Sequence, residues 1–265
     1  MRFWDGYKGS SFLELLAIEH SHLKPDVQRW FDELGQLPPT AHGTTCIGLR
    51  FADGALVAGD RLATMGYQVA SRDIQKVYAT DDYSIMAIAG AAGPAIEMAR
   101  LLGIQFEHHE KIEGEPLELE GKANTLSQLI RQNLPAAMQG LVVVPIFAGY
   151  DRRRHTGRVW RYEVTGGRYE EREYDAVGSG SIFARESLKK SFRPSATRDD
   201  AIRMALEALK DASDEDRGTG GVDLERNIYP TLKTCTARGI ESVADDEIAR
   251  AHRDVLERRR RPVEA

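Results

Sequence analysis

At 265 residues the chain is long enough for one large domain or two small ones. Hydrophobic residues make up 42% and charged residues 29%, the balance of an ordinary globular fold, and a formal net charge of -5 argues against nucleic acid as the main partner. Two cysteines, Cys46 and Cys235, are too few for a disulfide framework and suit a reducing cytosol. No run approaches the roughly 18 apolar residues that a membrane span needs.

Residues 1–43 differ in texture from the rest. Apolar patches around 12–18 and 30–37 are separated by Lys24-Pro25, and Pro38-Pro39 breaks any helix ahead of the Gly43–Thr44 junction. The first patch is interrupted by Glu14 and lacks a basic flank, so it is a poor secretory signal and the cytoplasm is the expected location. The segment reads as a detachable leader with weak helical content.

From Thr44 onward the pattern is strand-like. Strands are expected over 45–51 and 55–60, joined by a turn at Asp53-Gly54, then over 77–80 and 83–89. A helix follows Pro94 with Ile96, Ala99, Leu101 and Leu102 on its apolar face, and a second spans 124–138 with a bend at Pro135. Strands return at 142–150, 158–164 and 171–177, helices at 182–191 and 199–212, strands at 229–237 and 239–243, and a charged helix at 245–261. Strands and helices come in groups rather than alternating singly. That order suits an α+β fold of two packed antiparallel sheets with helices outside, and disfavours a doubly wound parallel sheet.

The chemistry concentrates in three residues at equal spacing: Thr44, Asp60 and Lys76, with Gly43 immediately before the first. A threonine hydroxyl is a poor nucleophile because its proton is hard to remove. Cutting the chain before Thr44 would free an α-amine, of ordinary pKa near ~8, to act as the local base. A cationic Lys76 would favour the alkoxide, and Asp60 would hold that lysine charged and in place. Singly, each has a plainer reading: a strand-forming threonine, a turn aspartate, a solvated lysine. Cys46 is a rival nucleophile, set against a small buried strand residue.

Three further segments add to the set. Ile88-Ala89-Gly90-Ala91-Ala92-Gly93-Pro94 offers free backbone N–H groups for an oxyanion, or simply a tight strand-to-helix turn. Val177-Gly178-Ser179-Gly180-Ser181 lacks the Lys-Ser/Thr ending of a phosphate loop, so a hydroxyl placed near a nucleophile fits it better. Asp216-Arg217-Gly218-Thr219-Gly220-Gly221 is by itself an acidic loop. His108-His109-Glu110 does not make a metal set, because adjacent helical residues point about 100° apart. The run Arg258-Arg259-Arg260-Arg261 suits a solvated helix end facing its own dipole.

Together these segments resemble a proteasome β-subunit of the actinobacterial type, with similarity over nearly all of Thr44–Val243. Among the segments that carry it are Lys76-Val77-Tyr78-Ala79-Thr80-Asp81-Asp82-Tyr83, Ala136-Ala137-Met138-Gln139-Gly140-Leu141 and Ala176-Val177-Gly178-Ser179-Gly180-Ser181. The resemblance implies a four-layer αββα sandwich, the fold of N-terminal-nucleophile hydrolases. It implies that residues 1–43 are a propeptide removed autocatalytically, leaving 44–265 as one catalytic domain that begins at Thr44. Asp60 and Lys76 fall on the supporting acid and lysine, Gly90 on the oxyanion-hole glycine, Ser179 on the serine beside the nucleophile, Asp216 on the aspartate that fixes it, and Thr219 on a position often held by serine.

Thr64 and Ala92 match backbone positions that pair with an extended substrate. Ala63, Ile74, Tyr78, Ile88, Ala92 and Ile96 match the walls of the primary specificity pocket, which implies cleavage after large hydrophobic residues. Leu62 stands where the family usually has an arginine, and Arg61 lies one residue earlier. The activity so implied is threonine-type endopeptidase, with no metal or other cofactor. The implied partners are homo-heptameric β rings stacked within α-subunit rings, a regulatory ATPase ring and substrates tagged with a ubiquitin-like protein. Two alternatives are another N-terminal-nucleophile amidohydrolase, such as an HslV-type peptidase, and a non-catalytic ring subunit.

Overall fold

The computed structural model describes residues 43–65 and 68–260. The weak helical content expected of the leader falls outside these residues, and the elements that follow are those of the described residues. Twelve strands and six helices follow in the order β1 (Thr45–Phe51), β2 (Gly54–Gly59), β3 (Ala63–Met65), β4 (Gln68–Ser71), β5 (Val77–Asp81), β6 (Ser84–Gly90), α1 (Ala92–Glu113), α2 (Leu119–Gln132), α3 (Leu134–Ala137), β7 (Val143–Asp151), β8 (Thr156–Tyr162), β9 (Arg168–Glu171), β10 (Tyr174–Gly178), α4 (Ser181–Ser191), α5 (Arg198–Glu215), β11 (Thr231–Thr236), β12 (Gly239–Ser242) and α6 (Asp245–Arg260). One five-stranded sheet has the order β10-β1-β2-β11-β12 and the other β5-β6-β7-β8-β9. Their ladders are antiparallel throughout.

Strand alternation explains the layering. Ile47, Leu49 and Phe51 of β1 point to a helix-side core with Ala184, Leu188, Ile202, Leu206 and Leu209 of α4 and α5. Cys46, on the other face of β1, joins Val57, Val77, Ile85, Ile146 and Val159 in a core between the two sheets. A third core packs Met98, Leu102, Phe106, Leu126 and Ile130 of α1 and α2 onto Met86, Phe147 and Trp160. The expected four-layer αββα sandwich is thus the observed architecture.

Several expectations need correcting. The strand expected over 171–177 is two strands in different sheets: β9 edges one and β10 the other, and the chain crosses between them at exposed Arg172-Glu173. Hydrogen bonds from Arg50 to the carbonyls of Arg172 and Glu173 fix that crossing. The helix expected over 124–138 begins five residues earlier, where no capping side chain announces it. It then breaks at Asn133 rather than bending, and Pro135 sits in the first turn of the short α3, where its missing N–H costs nothing. The helix placed after Pro94 starts at Ala92, with the proline again in the first turn. The hairpin β3–β4 was not expected, because its three- and four-residue strands are too short to show a period. The 53–54 turn is a hairpin as expected, but its two loop residues are Ala52-Asp53. Gly54 instead lets β11 come close, since a Cβ there would lie 2.0 Å from the Cys235 carbonyl oxygen.

The last helix docks through buried Ile248, His252 and Val255. Its terminal arginines are not all solvated: Arg259 bonds Asp211 of α5. His252 is buried with Nδ1 unpartnered, and burial, then Lys210 and Arg259, hold its pKa below the ordinary imidazole value. The unfolded chain therefore takes up a proton at a higher pH than the folded one, and stability falls as pH drops through about 6.5. Between about pH 7 and pH 5 the melting temperature of wild type should fall more steeply than that of His252→Leu. Parallel slopes in circular-dichroism melts would exclude His252 as the cause.

Candidate active site

The alternation of β1 sends Thr44 and Thr45 to opposite faces of its sheet. Thr44 lies at the mouth between the two sheets and is 3% exposed. Asp60 directly follows β2, and its backbone N–H donates to the Thr45 carbonyl at 3.1 Å. Lys76 directly precedes β5 in the opposite sheet, with its backbone carbonyl held by Ile88 N–H at 3.0 Å. One sheet therefore supplies the hydroxyl and the carboxylate, and the other supplies the cation.

Lys76 Nζ donates to Asp60 Oδ1 at 2.7 Å, to the Leu62 carbonyl at 2.6 Å and to the Gly43 carbonyl at 3.4 Å. These three bonds use all three protons of an ammonium. Asp60 is fully buried, and burial raises its carboxyl above the ordinary range even though Lys76 and backbone donors work the other way. Besides Lys76, Thr45 N–H at 2.8 Å bonds Oδ1, while Leu62 N–H at 3.0 Å and Gly220 N–H at 2.9 Å bond Oδ2. Four donors thus fill the carboxylate's lone-pair positions, which is what a buried charge needs.

The Thr44 hydroxyl donates to the Gly43 carbonyl at 2.6 Å. That carbonyl is therefore touched by both the hydroxyl and the lysine. Gly43 reaches this position because it packs backbone to backbone on Gly218: a Cβ on Gly43 would lie 2.0 Å from the Gly218 Cα. On the other side of Thr44, its backbone N–H donates to Ser179 Oγ at 3.2 Å. Asp216 Oδ2 accepts from Ser179 Oγ at 2.5 Å and from Thr219 Oγ1 at 2.6 Å. The sequence-predicted Thr44, Asp60, Lys76, Ser179, Asp216 and Thr219 are all in one connected network.

Gly90 ends β6 with φ of 113°, a conformation that favours glycine. With Thr44, Lys76, Ala63, Ile74, Tyr78, Ile88, Ala92 and Ile96 it lines one small cavity. All six expected pocket residues converge there. Ile74 is only half-buried and Ile96 is 47% exposed, so neither is an ordinary core residue. Sequence reasoning missed Gln75 and Ala95 in the lining, and Thr45, Leu62 and Gly220 in the network. Only the doubling Thr44-Thr45 offered a signal, through strand alternation; the other contacts depend on loops brought together from distant parts of the chain. Thr64 takes part through its side chain, accepting from Gly43 N–H at 3.0 Å. Cys46 is a poor rival nucleophile: it is fully buried between the sheets, which pushes its thiol up to about 12.

Two antiparallel sheets between helix layers, with a threonine opening the first strand, define the N-terminal-nucleophile hydrolase fold. A family model described as proteasome subunit matches residues 40–224. A proteasome subunit beta of Rhodococcus erythropolis is 50% identical over 256 residues, covering 93% of this chain and 87% of that protein. Those of Streptomyces griseus and Jonesia denitrificans are each 48% identical, over 94% and 97% of this chain and 89% and 85% of theirs. The chain belongs to the proteasome subunit family, and the β-subunits are the members it is similar to.

Lys76→Ala leaves the Asp60 carboxylate buried without its counter-charge, and should cost about 3 kcal/mol in denaturant unfolding. The loss should shrink on acidification, because a protonated Asp60 carboxyl is no longer a buried charge. A destabilisation by Lys76→Ala that is equal at pH 7 and pH 5 would show that the pair's value is not electrostatic.

Proposed function

We propose that the chain is the precursor of a catalytic proteasome β-subunit, a threonine-type endopeptidase whose nucleophile is Thr44. The observation that carries this reading is the Gly43 carbonyl, held between the Thr44 hydroxyl at 2.6 Å and the Lys76 ammonium at 3.4 Å. Attack of Thr44 Oγ1 on the Gly43 carbonyl carbon would move the acyl group from nitrogen to oxygen. Water would then hydrolyse that ester, releasing residues 1–43 with a C-terminal carboxylate and leaving Thr44 with a free α-amine. Until then the amine is locked in an amide and cannot serve as a base, so the precursor is inactive.

In the mature site the α-amine takes the hydroxyl proton as Thr44 Oγ1 attacks a peptide carbonyl, directly or through a water. Lys76, held by Asp60, favours the alkoxide. Gly90 N–H steadies the oxyanion. The amine returns the proton to the leaving nitrogen, and water hydrolyses the acyl-enzyme ester. Ser179 and Asp216 orient the amine, with Thr219 holding Asp216. Thr64 and Ala92 pair with the extended substrate; the contact of Gly43 N–H with Thr64 supports that path, because the leader's last residue runs along it. By family analogy, β-subunits form heptameric rings stacked within α-subunit rings in the cytoplasm, and an ATPase ring feeds substrates tagged with a ubiquitin-like protein. Among the described residues no helix is long and apolar enough to cross a membrane.

N-terminal sequencing of the assembled wild type should begin Thr-Thr-Cys-Ile-Gly. Thr44→Ala should keep its leader and lose peptidase activity while still assembling. A different mature start, or peptide cleavage by Thr44→Ala, would displace Thr44 as the nucleophile.

The pocket walls offer apolar surface, one phenol, the Gln75 amide and no charged side chain besides Lys76 at the catalytic end. A charged substrate side chain would shed water there, whereas an apolar one gains roughly 25 cal/mol for each Å² buried. A fluorogenic peptide panel varying only the residue before the scissile bond should show faster cleavage after Leu, Tyr or Phe than after Glu or Arg. The reverse order would remove these six residues from the pocket.

A further inference from the structure

Thr45 is fully buried, and no part of the reaction just described uses it. Yet it is the residue that joins the two halves of the network. Its backbone N–H donates to Asp60 Oδ1 at 2.8 Å, on the lysine side. Its hydroxyl lies 2.6 Å from Thr219 Oγ1, on the amine side. The direction of that second bond follows from Asp216. A carboxylate only accepts, so both Ser179 and Thr219 must point their protons at Oδ2. Thr219 has then spent its one proton and can only accept from Thr45. The chain therefore runs with one polarity: Thr45 O–H to Thr219, Thr219 O–H to Asp216.

The local sequence is built to admit this pair. A Cβ on Gly180 would lie 2.3 Å from Thr45 Oγ1 and 2.7 Å from Thr219 Oγ1. The second glycine of Gly178-Ser179-Gly180 thus clears the space in which the two hydroxyls meet, while Ser179 between the glycines faces the Thr44 nitrogen. Gly220, next to Thr219, returns the loop to Asp60 Oδ2 at 2.9 Å. The loop from Asp216 to Gly220 is accordingly held at its far end by Asp60 and in its middle by Thr45.

We propose that Thr45 is a positioning residue for the reaction: its hydroxyl orients Thr219 and through it sets how strongly Asp216 acts on the Ser179–amine pair. The proposal rests on the reading of Thr44 as the mature N-terminal nucleophile. A hydroxyl that accepts a hydrogen bond donates a stronger one. Without Thr45 the Thr219 bond to Asp216 weakens, and more of the carboxylate's charge is left to favour the protonated amine. The amine then stays charged to higher pH, and activity that needs it neutral is lost from the acid side.

The test uses assembled, processed particles and the pH profile of kcat/KM on a fluorogenic peptide with a hydrophobic residue before the scissile bond. Thr45→Val keeps the shape and removes the hydroxyl. It should lower kcat/KM about three- to tenfold, the value of one hydrogen bond, mainly through kcat. Its acid limb should move to higher pH. Thr45→Ser restores the hydroxyl and should restore both rate and profile. In a Thr219→Ala background, where the acceptor is gone, Thr45→Val should add no further shift.

A Thr45→Val profile that overlays wild type, or an equal defect in Thr45→Ser, overturns the proposal. So does an undiminished further shift in the Thr219→Ala background. If Thr45→Val does not assemble, Thr45→Ser against Thr219→Ala decides: the first should keep and the second should shift the acid limb, and any other pattern overturns the proposal. Failure of the underlying reading looks different, because the wild-type particle would then lack activity that depends on Thr44.

Discussion

The arrangement depends on one buried ion pair, Lys76 with Asp60. Neither charge is stable alone at this depth. Asp60 has no exposed surface, and its desolvation is large enough to raise its carboxyl despite the nearby ammonium. Such a pair is tolerable only when every remaining lone pair and proton is matched. Here the matching partners are mostly backbone: N–H groups of Thr45, Leu62 and Gly220 on the carboxylate, and the carbonyls of Leu62 and Gly43 on the ammonium. Because the pair crosses from one sheet to the other, satisfying it fixes three loops at once.

That constraint explains where the Gly43 carbonyl sits. Gly43 is held by the lysine, by the Thr44 hydroxyl and, through its own N–H, by Thr64. The close approach of its backbone to Gly218 ties the same point to the loop that carries Asp216 and Thr219. On the proposed reading, the site orients a weak nucleophile by packing and hydrogen bonds rather than by acidity of the hydroxyl itself. Cys46 makes the contrast. It is two residues along the same strand and intrinsically the better nucleophile, yet burial between the sheets pushes its thiol up to about 12 and leaves it a packing residue.

The surrounding sandwich keeps these loops in register. The inter-sheet core lies directly behind the site, with Val77 following Lys76 and Val57 two residues before the end of β2, which Asp60 follows. The helix layers do less for the chemistry and more for rigidity. Ile202, Leu206 and Leu209 of α5 press on β1 and β2, and α5 ends where Asp216 begins its loop. Of the cavity's apolar walls, Ile96 is the least covered by this packing.

The sequence by itself determined the order of the elements and picked out the main side chains of the candidate site. Strand-like runs and the Asp53-Gly54 turn marked β1, β2, β6 and β7, grouping of strands and helices implied two sheets between helix layers, and Thr44, Asp60 and Lys76 stood out by chemical type and equal spacing. These features are local, set by residue type, by turn chemistry and by what each residue can donate or accept. What the tertiary structure alone decided is non-local. That 168–178 holds two strands in different sheets follows from which edge each finds, not from its composition. That Gly220 bonds Asp60 across 160 residues, and that Thr45 meets Thr219 across 174, depends on loops closing against each other once both sheets are packed. A backbone N–H has no sequence signature, so a network built largely from such groups becomes visible only when the chain has folded.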